Sequence, residues 1–147
     1  MLNDAVRLRY GYVIRADEVV KDAAGNIQEI RATLDVDTLG QNPEGYKPRG
    51  VIHWVSATHN VPCQVRLYDR LFTEVTPDRV ADGGSFMDSL NPQSRVVLDN
   101  ALADVTTAEA LPETSFQFER EGYFVVDPDS TAERKVFNLT VSLKESF

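Results

Sequence analysis

Three arginines, Arg7, Arg9 and Arg15, occupy odd positions of the segment VRLRYGYVIR (6–15). Read as one strand, the segment places all three guanidinium groups on one face by period-2 alternation. Val6, Leu8, Tyr10, Tyr12 and Ile14 then take the other face. A guanidinium stays charged, donates in a planar fork to base edges or phosphate oxygens, and stacks on unpaired bases. Gly11, on the arginine face, would leave a gap where a base could approach the backbone. The bland alternative is a solvated strand face whose arginines pair with some of the 23 aspartates and glutamates.

A second polar set lies in FQFEREGYF (116–124). Phe116 and Phe118 anchor this strand in a core, leaving Gln117 on the opposite side, where its amide could match the edge of a pyrimidine. Arg120 has the wrong parity to share that face, and a bulge near Glu119–Gly122 would correct it. The bland alternative pairs Arg120 with Glu119 or Glu121. Lys47 and Arg49 lie in the loop before GVIHWVSA and suit phosphate or loop contacts, or an ordinary basic loop. In RLYDRLF (66–72) a structural reading is preferred, with Tyr68 packing and Arg66 and Arg70 pairing with carboxylates. Trp54 is expected to pack between layers.

Other chemistries find little support. His53, His59 and Cys63 match no zinc spacing, and Cys63 has no orienting partner for nucleophilic work. The carboxylates are scattered, so no acid/base pair stands out. Gly83-Gly84 is too short for a phosphate-binding loop. Catalytic, cofactor and metal residues are therefore expected to be absent.

The elements that must position these residues are mostly strands. Ala24-Gly25-Asn26 reads as a hairpin turn into IQEIRATLDV, and GQNPEGYKPRG (40–50) as a turn-rich loop. Strands are expected at about 51–57, 63–71 and 94–99, then at 116–126 and 135–143. Phe86–Leu90 and residues 104–112 allow brief helices, and no repeat is evident. Many short strands with turns between them indicate an all-β barrel or sandwich with minor helix. A chain of 147 residues can hold one ordinary core or two small barrels, and a hydrophobic fraction of 42% argues against disorder. No apolar run approaches the roughly 18 residues of a membrane span, so no membrane partner is expected. A single cysteine fits a reducing, cytoplasmic setting. The net charge of −8 disfavours indiscriminate nucleic-acid binding, so no DNA partner is expected, yet it permits a local cationic patch that reads a few unpaired bases.

The three segments 6–15, 50–72 and 116–124, in that order, closely resemble the C-terminal anticodon-binding domain of glutaminyl-tRNA synthetases. The resemblance implies two small β-barrels of the type seen in a 5S rRNA-binding ribosomal protein. It places residues of about 18–110 in a distal barrel and 1–17 with 111–147 in a proximal one. The family's domain begins several dozen residues before the equivalent of Met1, so this chain is expected to be an excised piece with one barrel incomplete. Motifs of the type HIGH and KMSKS are absent, which implies that ATP and magnesium belong to a separate N-terminal catalytic domain, itself an expected partner. The other partner implied is the anticodon loop of tRNA for glutamine, contacted by Arg7, Arg9, Arg15, Gln117, Arg120, Lys47 and Arg49. The alternatives are a related barrel of a glutamyl-tRNA synthetase, or an acidic β-barrel serving protein–protein assembly. An independent enzyme would need a carboxylate site that the sequence does not display.

Overall fold

The computed structural model describes residues 4–143. Among them are nine strands and three short 3-10 turns, in two sheets carried by two compact units, Met1–Trp54 and Val55–Phe147. The all-β class with minor helix is what the chain adopts.

In the first unit, β1 (Ala5–Leu8), β2 (Val13–Lys21), β3 (Ile27–Asp35) and β4 (Val51–Ile52) form a sheet ordered β3-β2-β1-β4. β1 and β4 are parallel and the other pairs antiparallel. Residues 6–15, expected as one strand, form a tight hairpin instead. Leu8 N–H donates to the Tyr12 carbonyl at 2.9 Å, Gly11 N–H to the Leu8 carbonyl at 2.8 Å, and Tyr10 turns the chain with φ 59°. The alternation misleads because the turn residues keep the polar–apolar order after the strand has ended. Parity survives by another route: Arg7 lies opposite Val13 and Ala5 opposite Arg15, so these odd residues of both strands share a face. The β2–β3 turn forms where expected. Asp22 Oδ1 accepts the N–H groups of Ala24 at 2.9 Å and Asn26 at 2.8 Å, while Gly25 supplies φ 85°. The β2–β3 ladder runs from Val13 opposite Asp35 to Lys21 opposite Ile27, with register shifts at Ala16/Glu18 and Val20/Lys21.

In the second unit, β5 (Asn60–Tyr68), β6 (Arg95–Asp104), β7 (Ser115–Phe118), β8 (Gly122–Val126) and β9 (Lys135–Ser142) are ordered β6-β5-β9-β8-β7. β5 and β9 run parallel at the centre of the sheet, which carries a core of Val61, Cys63, Val65, Ala103, Phe124, Val126 and Phe137. Phe118 stacks on Phe124 at 4.6 Å and meets Phe137 edge-on at 5.0 Å. Burying one such side chain stabilises by about 1.5–3 kcal/mol, so this aromatic cluster is the chief apolar anchor of the unit.

Several expected spans change. The strand 51–57 shrinks to Val51–Ile52: beyond it, the Trp54 indole N–H turns to the Arg9 carbonyl at 3.0 Å. Ser56 Oγ accepts the N–H groups of Thr58 at 3.3 Å and His59 at 3.1 Å, which bends the backbone out of any ladder. The span 116–126 is two strands, β7 and β8, around a turn at 119–121. The strand expected at 94–99 continues to Asp104, and the helices reduce to 3-10 turns at Phe86–Ser89 and Val105–Thr107. A capping box between Ser85 and Asp88 holds the first of these turns.

A short internal repeat also emerges. Asp35-Val36-Asp37-Thr38 follows β3, and Asp104-Val105-Thr106-Thr107 follows β6. In each, the aspartate side chain accepts the N–H two residues on, and the buried threonine hydroxyl donates back to the aspartate carbonyl, at 2.7 Å from Thr38 and 2.8 Å from Thr107. In each, too, a cation donates to the carbonyl three residues after the threonine: Arg7 to Gln41, and Lys135 to Ala110 at 2.9 Å.

Candidate nucleic-acid interface

Arg15 projects from β2, and Lys47 and Arg49 from the loop that returns to β4. With Asp4, Ala5 and Tyr46 they line a shallow cleft of about 350 Å3 in the first unit. The loop is drawn in because Arg49 N–H donates to the Ala5 carbonyl at 2.8 Å and Arg7 N–H to the Gly50 carbonyl at 2.9 Å, extending the parallel β1–β4 ladder. Arg49 Nε pairs with Asp4 at 3.1 Å. The Tyr46 hydroxyl donates to the Asp35 carboxylate, which raises the phenol above its ordinary pKa and fixes the ring. The Arg15 guanidinium lies 5.5 Å from the centre of that ring. Three cations and one aromatic face thus line one cleft beside the Asp4 carboxylate, side-chain types that can hold a charged, unstacked nucleotide. Sequence reasoning missed Tyr46. Its signal was an aromatic residue flanked by Lys47 and Arg49 inside a loop rich in glycine and proline. A larger hollow of about 700 Å3 in the same unit is lined by Asp35, Asp37 and Glu44, whose charges repel phosphate.

Arg7 faces inward. Its Nη1 donates to the carbonyls of Gly11 at 3.1 Å and Thr38 at 2.9 Å, and its Nη2 to that of Gln41. Arg9 is exposed on the β1–β2 turn, its guanidinium 4.8 Å from the centre of the Tyr10 ring. Gly11 leaves no gap for a base: it is buried, and a Cβ there would meet Leu8 Cβ at 3.3 Å and the Trp54 ring at 3.7 Å. Its small size lets β1, the turn and Trp54 close together.

In the second unit, Gln117 is exposed on β7 opposite Tyr123, while Phe116 and Phe118 turn inward to Phe124 and Phe137. Arg120 is at the tip of the β7–β8 turn with φ 65°, so strand parity does not constrain it and no bulge in β7 is needed. Gly122 serves a different purpose from the one expected. A Cβ at that position would lie 2.7 Å from the Val141 carbonyl oxygen, so the close approach of β8 to β9 requires glycine.

Residues 51–127 match the family described as tRNA synthetases class I (E and Q), anti-codon binding domain. The chain belongs to that family. Glutamine–tRNA ligase from Ectopseudomonas mendocina is 58% identical over 143 residues, 97% of this chain and 26% of the relative. The enzymes of the same name from Pseudomonas putida, at 57% identity, and Azotobacter vinelandii, at 54%, align over the same share of this chain and cover 25% and 26% of their own lengths. The chain thus spans about a quarter of the length of the curated relatives it matches.

In this member of the anticodon-binding family Arg66 and Tyr68 have structural partners. Arg66 Nη1 pairs with Asp127 at 3.2 Å and its Nη2 with Asp129 at 2.8 Å, and the Tyr68 hydroxyl donates to Asn138 at 2.9 Å. Cys63 is buried between β9 and β6, and burial pushes its thiol pKa up, away from the reactive thiolate. His59 Nδ1 lies 3.0 Å from the Thr58 hydroxyl. Among the described residues no group of three or more His, Cys, Asp or Glu could hold a metal ion, and no helix is long and apolar enough to cross a membrane.

Proposed function

We propose that this chain reads the anticodon of tRNA for glutamine, within a longer protein that attaches glutamine to that tRNA at the cost of ATP. The observation that carries the proposal is the convergence of Arg15, Lys47, Arg49 and Tyr46 on one cleft, in a chain of net charge −8 and of the anticodon-binding family. A protein this acidic repels nucleic acid over most of its surface, so a patch of clustered cations acts as a local address. Recognition is by single-strand readout: bases of the loop unstack, cations hold the backbone, and polar side chains meet the base edges. In the first unit Lys47 and Arg49 take phosphate, Arg15 and Tyr46 receive a nucleotide, and Arg9 presents donors to a base; in the second unit Gln117 and Arg120 are a separate set of donors and acceptors for bases. Arg7 ties the first unit together through its bonds to the carbonyls of Gly11, Thr38 and Gln41.

The portion itself performs no chemistry. ATP, magnesium and glutamine belong to the catalytic part of the longer protein, which works in the cytoplasm and receives the signal that the correct anticodon is bound. The glutamine branch is favoured over the glutamate branch because the relatives compared above carry the glutamine name.

The test is equilibrium binding of tRNA with the glutamine anticodon against tRNAs with one anticodon base changed. Each lost base contact is expected to cost about 1–3 kcal/mol, by analogy with bidentate base readout in DNA. Equal affinity for all of them, or none at physiological salt, would leave the acidic assembly barrel as the better reading.

A further inference from the structure

We propose that Tyr10, with Arg9 packed on its ring, is a stacking platform for one unpaired nucleobase; this rests on the anticodon-reading function proposed above. Tyr10 is 82% exposed, yet it occupies the left-handed backbone region at φ 59°. A bulky side chain is strained there, and glycine or asparagine would be at ease. Burial does not explain the choice, because the ring faces water. Gly11, next along the chain, is used for close packing and not for the turn's left-handed position. The strained turn is also held rigidly. The Trp54 indole fixes the Arg9 carbonyl at 3.0 Å, Leu8 and Tyr12 close the hairpin at 2.9 Å, and Arg7 grips the Gly11 carbonyl at 3.1 Å. Strain over-determined by its surroundings, at the tip of an exposed turn, is a mark of function.

The ring is pre-oriented as well. The Arg9 guanidinium lies 4.8 Å from its centre, and Nη2 reaches the phenol oxygen at 3.4 Å. A base stacked on this pair gains an aromatic surface and a cation beside its phosphate. Stacking is tolerant of base identity, since every base has a π face. The platform therefore adds affinity to the reading and little discrimination.

The experiment uses the 147-residue chain and a synthetic anticodon stem-loop of the glutamine tRNA, with 2-aminopurine placed at each loop position in turn. Stacking quenches the fluorescence of that base. One position is expected to be quenched by the parent chain and by Tyr10→Phe. Tyr10→Asn should lose that quenching and bind about 5- to 150-fold more weakly, with the ratio between matched and mismatched anticodons little changed. Asparagine relieves the left-handed strain, so a thermal melt should show Tyr10→Asn at least as stable as the parent. If the parent discriminates anticodons and Tyr10→Asn binds and quenches as the parent does, the platform is wrong while the anticodon reading stands. If Tyr10→Phe fails as badly as Tyr10→Asn, the hydroxyl and not the ring matters, and stacking is overturned. If the parent chain shows no anticodon preference, the functional reading falls and the platform falls with it.

Discussion

The Arg7 guanidinium donates to the Thr38 carbonyl at 2.9 Å, tying β1 to the turn that leaves β3 at the edge of the first sheet. Thr38 is the more loaded partner. Only 2% exposed, it accepts the Val13 N–H at 2.8 Å on the same hydroxyl that donates to the Asp35 carbonyl at 2.7 Å. Thr38→Val keeps the shape and leaves the buried Val13 N–H without its acceptor, a loss of about 1–3 kcal/mol. Thr38→Ser should recover most of it. Denaturant melts of the three proteins measure the difference, and a Thr38→Val variant as stable as the parent would show the hub to be dispensable.

The cations of the first unit differ in what they face, and salt dependence separates them. Each phosphate held on single-stranded RNA steepens the fall of log affinity with log salt by roughly 0.7. Lys47→Ala and Arg49→Ala, at the cleft, should each flatten that slope by about this amount. Arg7→Ala should weaken binding without flattening it, because its guanidinium bonds the carbonyls of Gly11, Thr38 and Gln41. Binding isotherms at four or five salt concentrations are sufficient. Equal flattening by Arg7→Ala would place its guanidinium on a phosphate.

The β-class and the hairpin at Asp22–Asn26 were legible because alternation and turn chemistry agree there. The turn at Arg9–Tyr12 was hidden because its left-handed residue is Tyr10, a type that rarely signals a turn. The extent of β4 was hidden for a tertiary reason: His53 and Trp54 alternate like strand residues, but the Trp54 indole is drawn to the Arg9 carbonyl from a distant part of the chain. Lys47, Arg49 and Arg15 could be named singly from the sequence. Their meeting around Tyr46 depends on the parallel β1–β4 pairing, which no local pattern encodes. The twice-used Asp-Val-x-Thr turn is four residues long, too short to register as a repeat until both copies are seen capping the ends of β3 and β6.

Cys63 provides a probe of the second core. It is 2% exposed and burial raises its thiol pKa, so the folded protein should resist iodoacetamide at about pH 8, where an ordinary cysteine is partly thiolate. Labelling should become rapid in denaturant, with a midpoint that matches loss of the sheet by circular dichroism. Fast stoichiometric labelling of the native chain would mean that β5 opens readily between β6 and β9.

Acid should unfold the second unit through three aspartates whose pKa values are depressed. Asp127 is held down first by the Asp129 N–H at 2.8 Å, then by the Asn138 amide, with Arg66 at 3.2 Å adding to it. Asp99 accepts the Gln64 amide at 2.7 Å and pairs with Arg134 at 2.6 Å. Asp104 accepts the Thr106 N–H at 2.9 Å and its hydroxyl at 2.7 Å. In each case the folded state prefers the charged form, so it binds the proton more weakly than the unfolded chain does. The stabilisation is complete above the unfolded aspartate value near about 4 and disappears as pH falls through the lower folded values. The urea midpoint should therefore decline as pH drops from about 5 towards 2. Arg66→Met removes a cation from Asp127, moves its pKa back towards the ordinary value, and should lower the midpoint at neutral pH while shrinking the part of the acid decline that Asp127 supplies. A midpoint that holds steady down to about pH 3 in the parent chain would show that these carboxylates are not coupled to folding, and an Arg66→Met variant with an unchanged acid profile would show that Arg66 does not set the Asp127 share.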